Sequence, residues 1–306
     1  MSKLVPLQTS EHLGRYTKVY ANYMSMEKNK IKLIKNSGFI LEYAISKTIN
    51  ELGYSIAAEY QYERDDETGT TKKFSGDLIC RKEINGHNIT LLIECKQTDE
   101  SIDWLFLPSL QMKQHLNVIP FVHTFKSDPF KAEPKMEDKD VTSLFGNSVY
   151  KGIEIRHSDK TDFLIQKAIA QVSYPIFNEL HLSLLLKSLL KIEKTANSII
   201  PIVITTSPLY IINSDVTIET LETASVTSDI ASQVASLLYS TNPSEDLKSH
   251  NKKILINIKK LAGNKNWNEF LLELFANTWP EAILFINYNY HKEILGNIEK
   301  HLQKKA

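Results

Sequence analysis

One strand in this chain ends in charge where it should end in the core. Ile89-Thr90-Leu91-Leu92-Ile93 is β-branched or aliphatic throughout, which favours an extended conformation, yet the run closes on Glu94-Cys95-Lys96-Gln97. Side chains alternate along a strand, so Thr90, Leu92, Glu94 and Lys96 share one face while Leu91, Ile93 and Cys95 share the other. An unpaired charge is costly to bury, so Glu94 and Lys96 need partners or a task. Upstream, Ser75-Gly76-Asp77 opens a second apolar run, Asp77-Leu78-Ile79-Cys80, and Glu83-Ile84-Asn85-Gly86-His87-Asn88 between the runs has the composition of a hairpin turn. Antiparallel pairing of the two runs brings Asp77 close to Glu94.

Two carboxylates on adjacent strands make an oxygen-rich pocket suited to Mg2+, which takes a few carboxylates and keeps several waters. The backbone carbonyl of Cys95, between Glu94 and Lys96, is a further oxygen donor. A protonated Lys96 is no ligand, but it can position a nucleophilic water or offset charge developing on a phosphate. These are the requirements of phosphodiester hydrolysis.

The rest of the chain fits a single elaborated α/β unit. Lys plus Arg number 36 and Asp plus Glu 36, so the net charge is 36 − 36 = 0 and any nucleic-acid affinity must come from local patches. The two cysteines, Cys80 and Cys95, fall inside predicted strands, which argues against a disulfide framework or a zinc knuckle. No apolar run approaches the roughly 20 residues that span a bilayer, and Met1 to Pro6 lacks a signal-peptide core, so no membrane partner and a cytoplasmic location are expected.

In chain order, residues 1–26 form an N-terminal extension, followed by a lysine-rich stretch through Lys35. Leu41, Ile45, Thr48 and Leu52 recur at helical spacing, Gly53 supplies a stop, and Glu42 sits at the edge of the stripe. Ser55 to Tyr62 predicts a strand, and 63–73 a charged, solvated hairpin loop in which Lys72 and Lys73 lie just before Asp77, in reach of a phosphate. Residues 98–160, with their scattered prolines, have the character of an insertion. From Thr161 a helical pattern runs through Phe163, Leu164, Ile169 and Val172 to Leu185, divided by Pro175. Strands follow at Ile202–Ile204 and Tyr210–Ile212, then a predicted helix from Ile230 to Tyr239, helical patterns from Lys253 to Phe275, a strand at Ala282–Asn287 and an amphipathic helix at Lys292–Gln303. The expected organisation is a core over 27–213 interrupted by 98–160, with 214–306 packed on it, built as a central mixed β-sheet flanked by helices.

Other chemistries find little support. The acidic loop around Asp65-Asp66-Glu67 lacks the glycine and carboxylate offsets of an EF-hand. The nine histidines include no H-x-x-x-H pair, and no glycine-rich phosphate loop occurs. Ser207-Pro208 lacks the glycine setting of a nucleophile elbow, and Trp104, Trp267 and Trp279 are expected as buried anchors.

Gly76-Asp77, followed by Glu94-Cys95-Lys96 closing an apolar strand and preceded by a Glu-bearing helix, resembles the PD-(D/E)XK nuclease superfamily. The resemblance implies a restriction-endonuclease-like core of helix, three strands, helix and strand, the order read above over 36–97 and, in outline, 161–213. It implies that Asp77, Glu94 and the Cys95 carbonyl bind Mg2+, or Mn2+ in its place, that Lys96 assists the nucleophile, and that Glu42 binds the metal or a water of its shell. Gly76 stands where the family pattern has proline. Some members carry Gln and Tyr on the helix after the third strand; Gln171 and Tyr174 answer to these one residue short of the pattern, with Lys167 one turn earlier. The implied function is a metal-dependent nuclease acting on nucleic acid, DNA ahead of RNA, in restriction or antiviral defence, as a homodimer or with a partner protein of a defence system. The competing expectation is a non-cleaving module that uses the same fold to grip nucleic acid or protein.

Overall fold

A computed structural model describes residues 23–35, 37–65, 70–84, 87–99, 101–109, 123–125, 145–156, 163–190, 196–262 and 269–305. After a largely exposed helical segment at 23–35, the elements begin with α1 (Phe39–Glu51), β1 (Ser55–Asp65), β2 (Thr71–Ile84) and β3 (His87–Lys96). Then come β4 (Asp103–Pro108), β5 (His123–Phe125), β6 (Ser148–Ile155), α2 (Leu164–Ser173), α3 (Pro175–Leu190), β7 (Ala196–Thr205) and β8 (Leu209–Ile212). The chain continues through α4 (Ile218–Thr223), β9 (Ala231–Val234), β10 (Ser236–Ser240), α5 (Glu245–Ala262), α6 (Glu269–Thr278), β11 (Ala282–Asn287) and α7 (His291–Lys305). No helix among the described residues is long and apolar enough to cross a membrane.

The strands form one mixed sheet in the order β1-β2-β3-β7-β11-β10-β6-β4-β8-β9, and β5 pairs with β7 off this path. It draws on residues before, within and after 98–160. β1, β2 and β3 form an antiparallel meander, whereas β3 and β7, and β7 and β11, run parallel. Pro201, which has no N–H to give, falls between Ile199, where β5 pairing stops, and Ile202, where β11 pairing starts.

Helices cover both faces. On one, Leu41, Ile45 and Ile49 of α1 and Ile294, Leu295 and Ile298 of α7 pack on Leu78, Cys80, Leu91, Ile93, Cys95 and their neighbours. On the other, α3, α5 and α6 cover Ile79, Leu92 and Ile199, while α2 lays Ile165, Ala168 and Val172 over an aromatic group of Trp104, Phe106, Tyr239 and Phe285. All six residues of β11 are buried, as a strand covered on both faces requires.

The α1 stripe, the split at Pro175 and the last strand and helix lie where the sequence places them. Cys80 and Cys95 are buried free thiols in strands. Two segments differ. The predicted helix Ile230–Tyr239 is instead β9 and β10: Leu238 faces the α1 side while Leu237 and Tyr239 face the α2 side, and a strand buried on both faces mimics a helical stripe. The predicted loop at 63–73 is in large part a ladder, because Glu63 meets Lys73 and Arg64 meets Lys72 across the strands. Arg64 also lies over the rings of Phe74 and Tyr174, at 4.0 and 4.2 Å.

Candidate active site

The site sits where β2 and β3 separate. Their ladder ends at Leu78 opposite Ile93, although β3 stays paired to β7 as far as Lys96 opposite Thr205. The next backbone donor on the freed edge, Cys95 N–H, is taken by the side chain of Asp77, whose Oδ2 accepts it at 2.6 Å. A residue's N–H and C=O share one edge of a strand, so the Cys95 carbonyl faces the same opening. The Cys95 side chain turns to the α1 cluster, where burial pushes its thiol well above the usual range and leaves it a packing group.

Continuing the registers of β1 with β2 and of β2 with β3 aligns Glu59, Asp77 and Glu94 in one row across three adjacent strands. Glu94 is the buried end of the row, its side chain 1% exposed against 13% for Lys96. Lys96 Nζ donates to Glu94 Oε1 and, at 2.8 Å, to Gln171 Oε1 on α2; the Gln171 amide nitrogen donates to the Ser75 carbonyl at 3.3 Å. Glu94 Oε2 is buried with no hydrogen-bond partner among the described residues. An orphaned carboxylate oxygen in the interior is destabilising unless something positive meets it.

Charge is correspondingly hard to hold. Burial and the neighbouring Asp77 push Glu94 up to about 7, against the Lys96 ammonium and the Asp77 backbone N–H. Burial raises Asp77 as well, opposed by the Cys95 N–H, Lys96 and Lys167 and reinforced by Glu59. Half-buried Glu42 is raised by burial, then by Asp77 and Glu59, with Lys96 pulling the other way. Asp77 thus couples to Glu42, Glu59 and Glu94, with Lys96 and Lys167 opposing.

Asp77, Glu94 and Lys96 come together, with Glu42 in electrostatic range and Gln171 bound to Lys96 directly. Lys167 reaches Asp77 through its field only. Lys72 and Lys73 lie out along the β1–β2 arm, five and four residues from Asp77, opposite Arg64 and Glu63. Tyr174 is also elsewhere, stacked on Tyr62 at 6.3 Å between ring centres.

Two residues at the site carry no motif, Glu59 and Tyr60. Glu59 has φ +50, the one non-glycine residue with positive φ among those described. Here the alternation of β1 changes face: Ile56 packs on the α1 side, whereas Tyr60 and Tyr62 pack on the α2 and α3 side. The turn lays the Tyr60 ring across Gly76, where a β-carbon would overlap it. A glycine directly before Asp77 is the sequence signal that marks this contact.

No set of three or more His, Cys, Asp or Glu side chains forms a ready-made cage among the described residues. Mg2+ does not require one, since one or two carboxylates, waters and a substrate phosphate complete its shell. The orphaned Glu94 oxygen, the Asp77 carboxylate and the Cys95 carbonyl fit such a cation in donor type and charge. No protein-family model, curated protein or solved structure matches the chain.

Proposed function

We propose that this chain is a Mg2+-dependent nuclease that hydrolyses phosphodiester bonds, in DNA before RNA. The observation that carries the reading is the buried Glu94 carboxylate, one oxygen orphaned, beside Asp77 where β2 leaves β3. Such an arrangement stabilises the fold poorly and suits a divalent cation well. With the intervening β4, β5, β6 and α3 set aside, the order α1-β1-β2-β3-α2-β7, with β3 and β7 parallel, supports the same reading through its resemblance to the PD-(D/E)XK core.

Asp77, Glu94 and the Cys95 carbonyl would hold the cation, with Glu42 at its edge, and Mn2+ has the ligand preferences to substitute. A bound divalent ion polarises a phosphoryl oxygen and makes water a better nucleophile. Lys96, fixed by Glu94 and Gln171, is held to meet charge developing on the phosphate or to orient the attacking water. The proposal extends to restriction or antiviral defence, with a homodimer or a partner protein as the form that cuts both strands of a duplex.

The test is direct. Linear, circular and single-stranded DNA, and RNA, are incubated with the protein and with Lys96→Ala and Asp77→Ala, in Mg2+ or EDTA. Cleavage that needs the metal and disappears in both variants is expected. Undiminished binding with no cleavage of any substrate would replace this reading with that of a non-cleaving binding module.

A further inference from the structure

Tyr60 is placed as no packing residue needs to be. Its ring packs against the apolar cluster that includes Ile79 and Leu92, a task phenylalanine performs equally well, and Gly76 gives up its side chain so that the ring can cross β2. That crossing carries the phenol to Gln171, the residue whose side chain holds Lys96. There its one described hydrogen bond, to the Gln171 carbonyl, is 3.5 Å long, well beyond the usual 2.5–3.0 Å of an O–H···O bond. The donor is held near the site without being engaged by it.

We propose, resting on the nuclease reading, that Tyr60 is a substrate-positioning residue whose phenol hydroxyl donates a hydrogen bond to a phosphate oxygen of the strand held against Lys96. Burial, with Glu94, Tyr62 and Asp77 around it, raises the phenol well above its ordinary range, so it keeps its proton at any working pH. A neutral donor recognises a phosphate oxygen among carboxylates without adding another charge to the cluster. Gln171 gains a second role, since its side chain fixes Lys96 while its carbonyl parks the Tyr60 hydroxyl when no phosphate is bound.

Tyr60→Phe tests this, with Tyr62→Phe as the packing control, because Tyr62 shares the aromatic cluster with Tyr60. Cleavage of a labelled duplex in Mg2+, its binding by fluorescence anisotropy with Ca2+ in place of Mg2+, and thermal midpoints are measured for all three proteins. Losing a hydrogen bond to a charged acceptor is expected to lower kcat/KM by about ten- to a hundredfold in Tyr60→Phe, at an unchanged midpoint, with Tyr62→Phe near wild type. Equal cleavage and binding by Tyr60→Phe and an active wild type would overturn this inference alone, as would equal losses in the two variants. A wild type that neither cleaves nor binds the duplex would overturn the nuclease reading and this inference with it.

Discussion

Two strands of this protein end in the same way and to opposite effect. Glu94 and Lys96 on β3, and Glu154 on β6 with Arg156 just past its end, are each an acid and a base two residues apart, paired side chain to side chain and facing α2. Both pairs are largely shielded, with side chains 13% and 1% exposed for Lys96 and Glu94, and 11% and 8% for Arg156 and Glu154. Glu154 has a use for each oxygen: Oε2 accepts from Arg156, and Oε1 accepts the backbone N–H of Ile165 at 3.0 Å, satisfying an open donor of the first turn of α2. Glu94 has a partner for one oxygen and an orphan at the other, with Asp77 beside it. Both oxygens of Glu154 are thus spent within the fold, whereas one oxygen of Glu94 has no hydrogen-bond partner among the described residues.

The largest expected effect separates the pairs by activity. Lys96→Ala and Asp77→Ala should each cut nucleic-acid cleavage by on the order of a thousandfold or more, the scale seen when a group that stabilises developing charge is removed. Arg156→Ala should instead leave the cleavage rate of folded protein near wild type. It should cost about 3–5 kcal/mol of stability, because it strands a buried Glu154 charge. Gel-based cleavage rates and urea unfolding curves check both; a folded Arg156→Ala protein as inactive as Lys96→Ala would erase the distinction.

Next in size is the response to pH, measured without divalent cations. Glu94 rises from 4.5 to about 7 on folding, so between those values the native state binds more protons than the unfolded chain. The stability it contributes is fully present below about pH 4.5 and lost as pH climbs through 7, a loss on the order of 3 kcal/mol. Glu94→Gln should abolish most of this slope and stabilise the protein at pH 8, whereas Glu154→Gln should destabilise it. Mg2+ should raise wild-type stability at pH 8 and do little for Glu94→Gln. Denaturation midpoints of the same sign for the two substitutions would break the comparison.

Why one pair could be singled out from the sequence and its neighbours could not follows from where the signals lie. Asp77 and Glu94 sit in apolar runs joined by an evident hairpin, so their register follows from local patterning. Gln171 had only its offset on a helix, and its bond to Lys96 depends on how α2 crosses the sheet. Lys72 and Lys73 lie apart from Asp77 for the converse reason, since each residue along a strand adds distance in space. Glu59 and Tyr60 had no signal of their own, because a change of face within β1 has no periodicity to betray it. The same blindness made β9 and β10 look like a helix.

A smaller effect probes the contact that separates the two strand ends further. Gly76→Ala puts a methyl group into the Tyr60 ring, and overpacking of this kind costs typically about 1–3 kcal/mol. Shifting the ring also moves the phenol off the Gln171 carbonyl, so cleavage should fall along with stability. Gly76→Ala combined with Tyr60→Ala, which makes room for the methyl, should recover part of the stability without recovering cleavage. Thermal midpoints and cleavage rates for the single and double variants test this; additive losses of stability would show that the two residues do not meet.

The smallest effect concerns the backbone at Glu59, which has no counterpart beside Glu154 among the described residues. A non-glycine residue at φ +50 pays about 1–2 kcal/mol for its left-handed conformation, and glycine escapes that cost while losing part of the gain to its freedom in the unfolded chain. Glu59→Gly should therefore be neutral to slightly stabilising. Glu59→Val, β-branched and ill suited to positive φ, should be destabilising by about 1–3 kcal/mol. Charge is separated from backbone by Glu59→Gln, which keeps the strain but removes one of the fields raising Asp77 and Glu42. If glycine and valine destabilise alike, the left-handed turn at Glu59 is not what swings β1 across the sheet, and the position of the Tyr60 ring over Gly76 would need another cause.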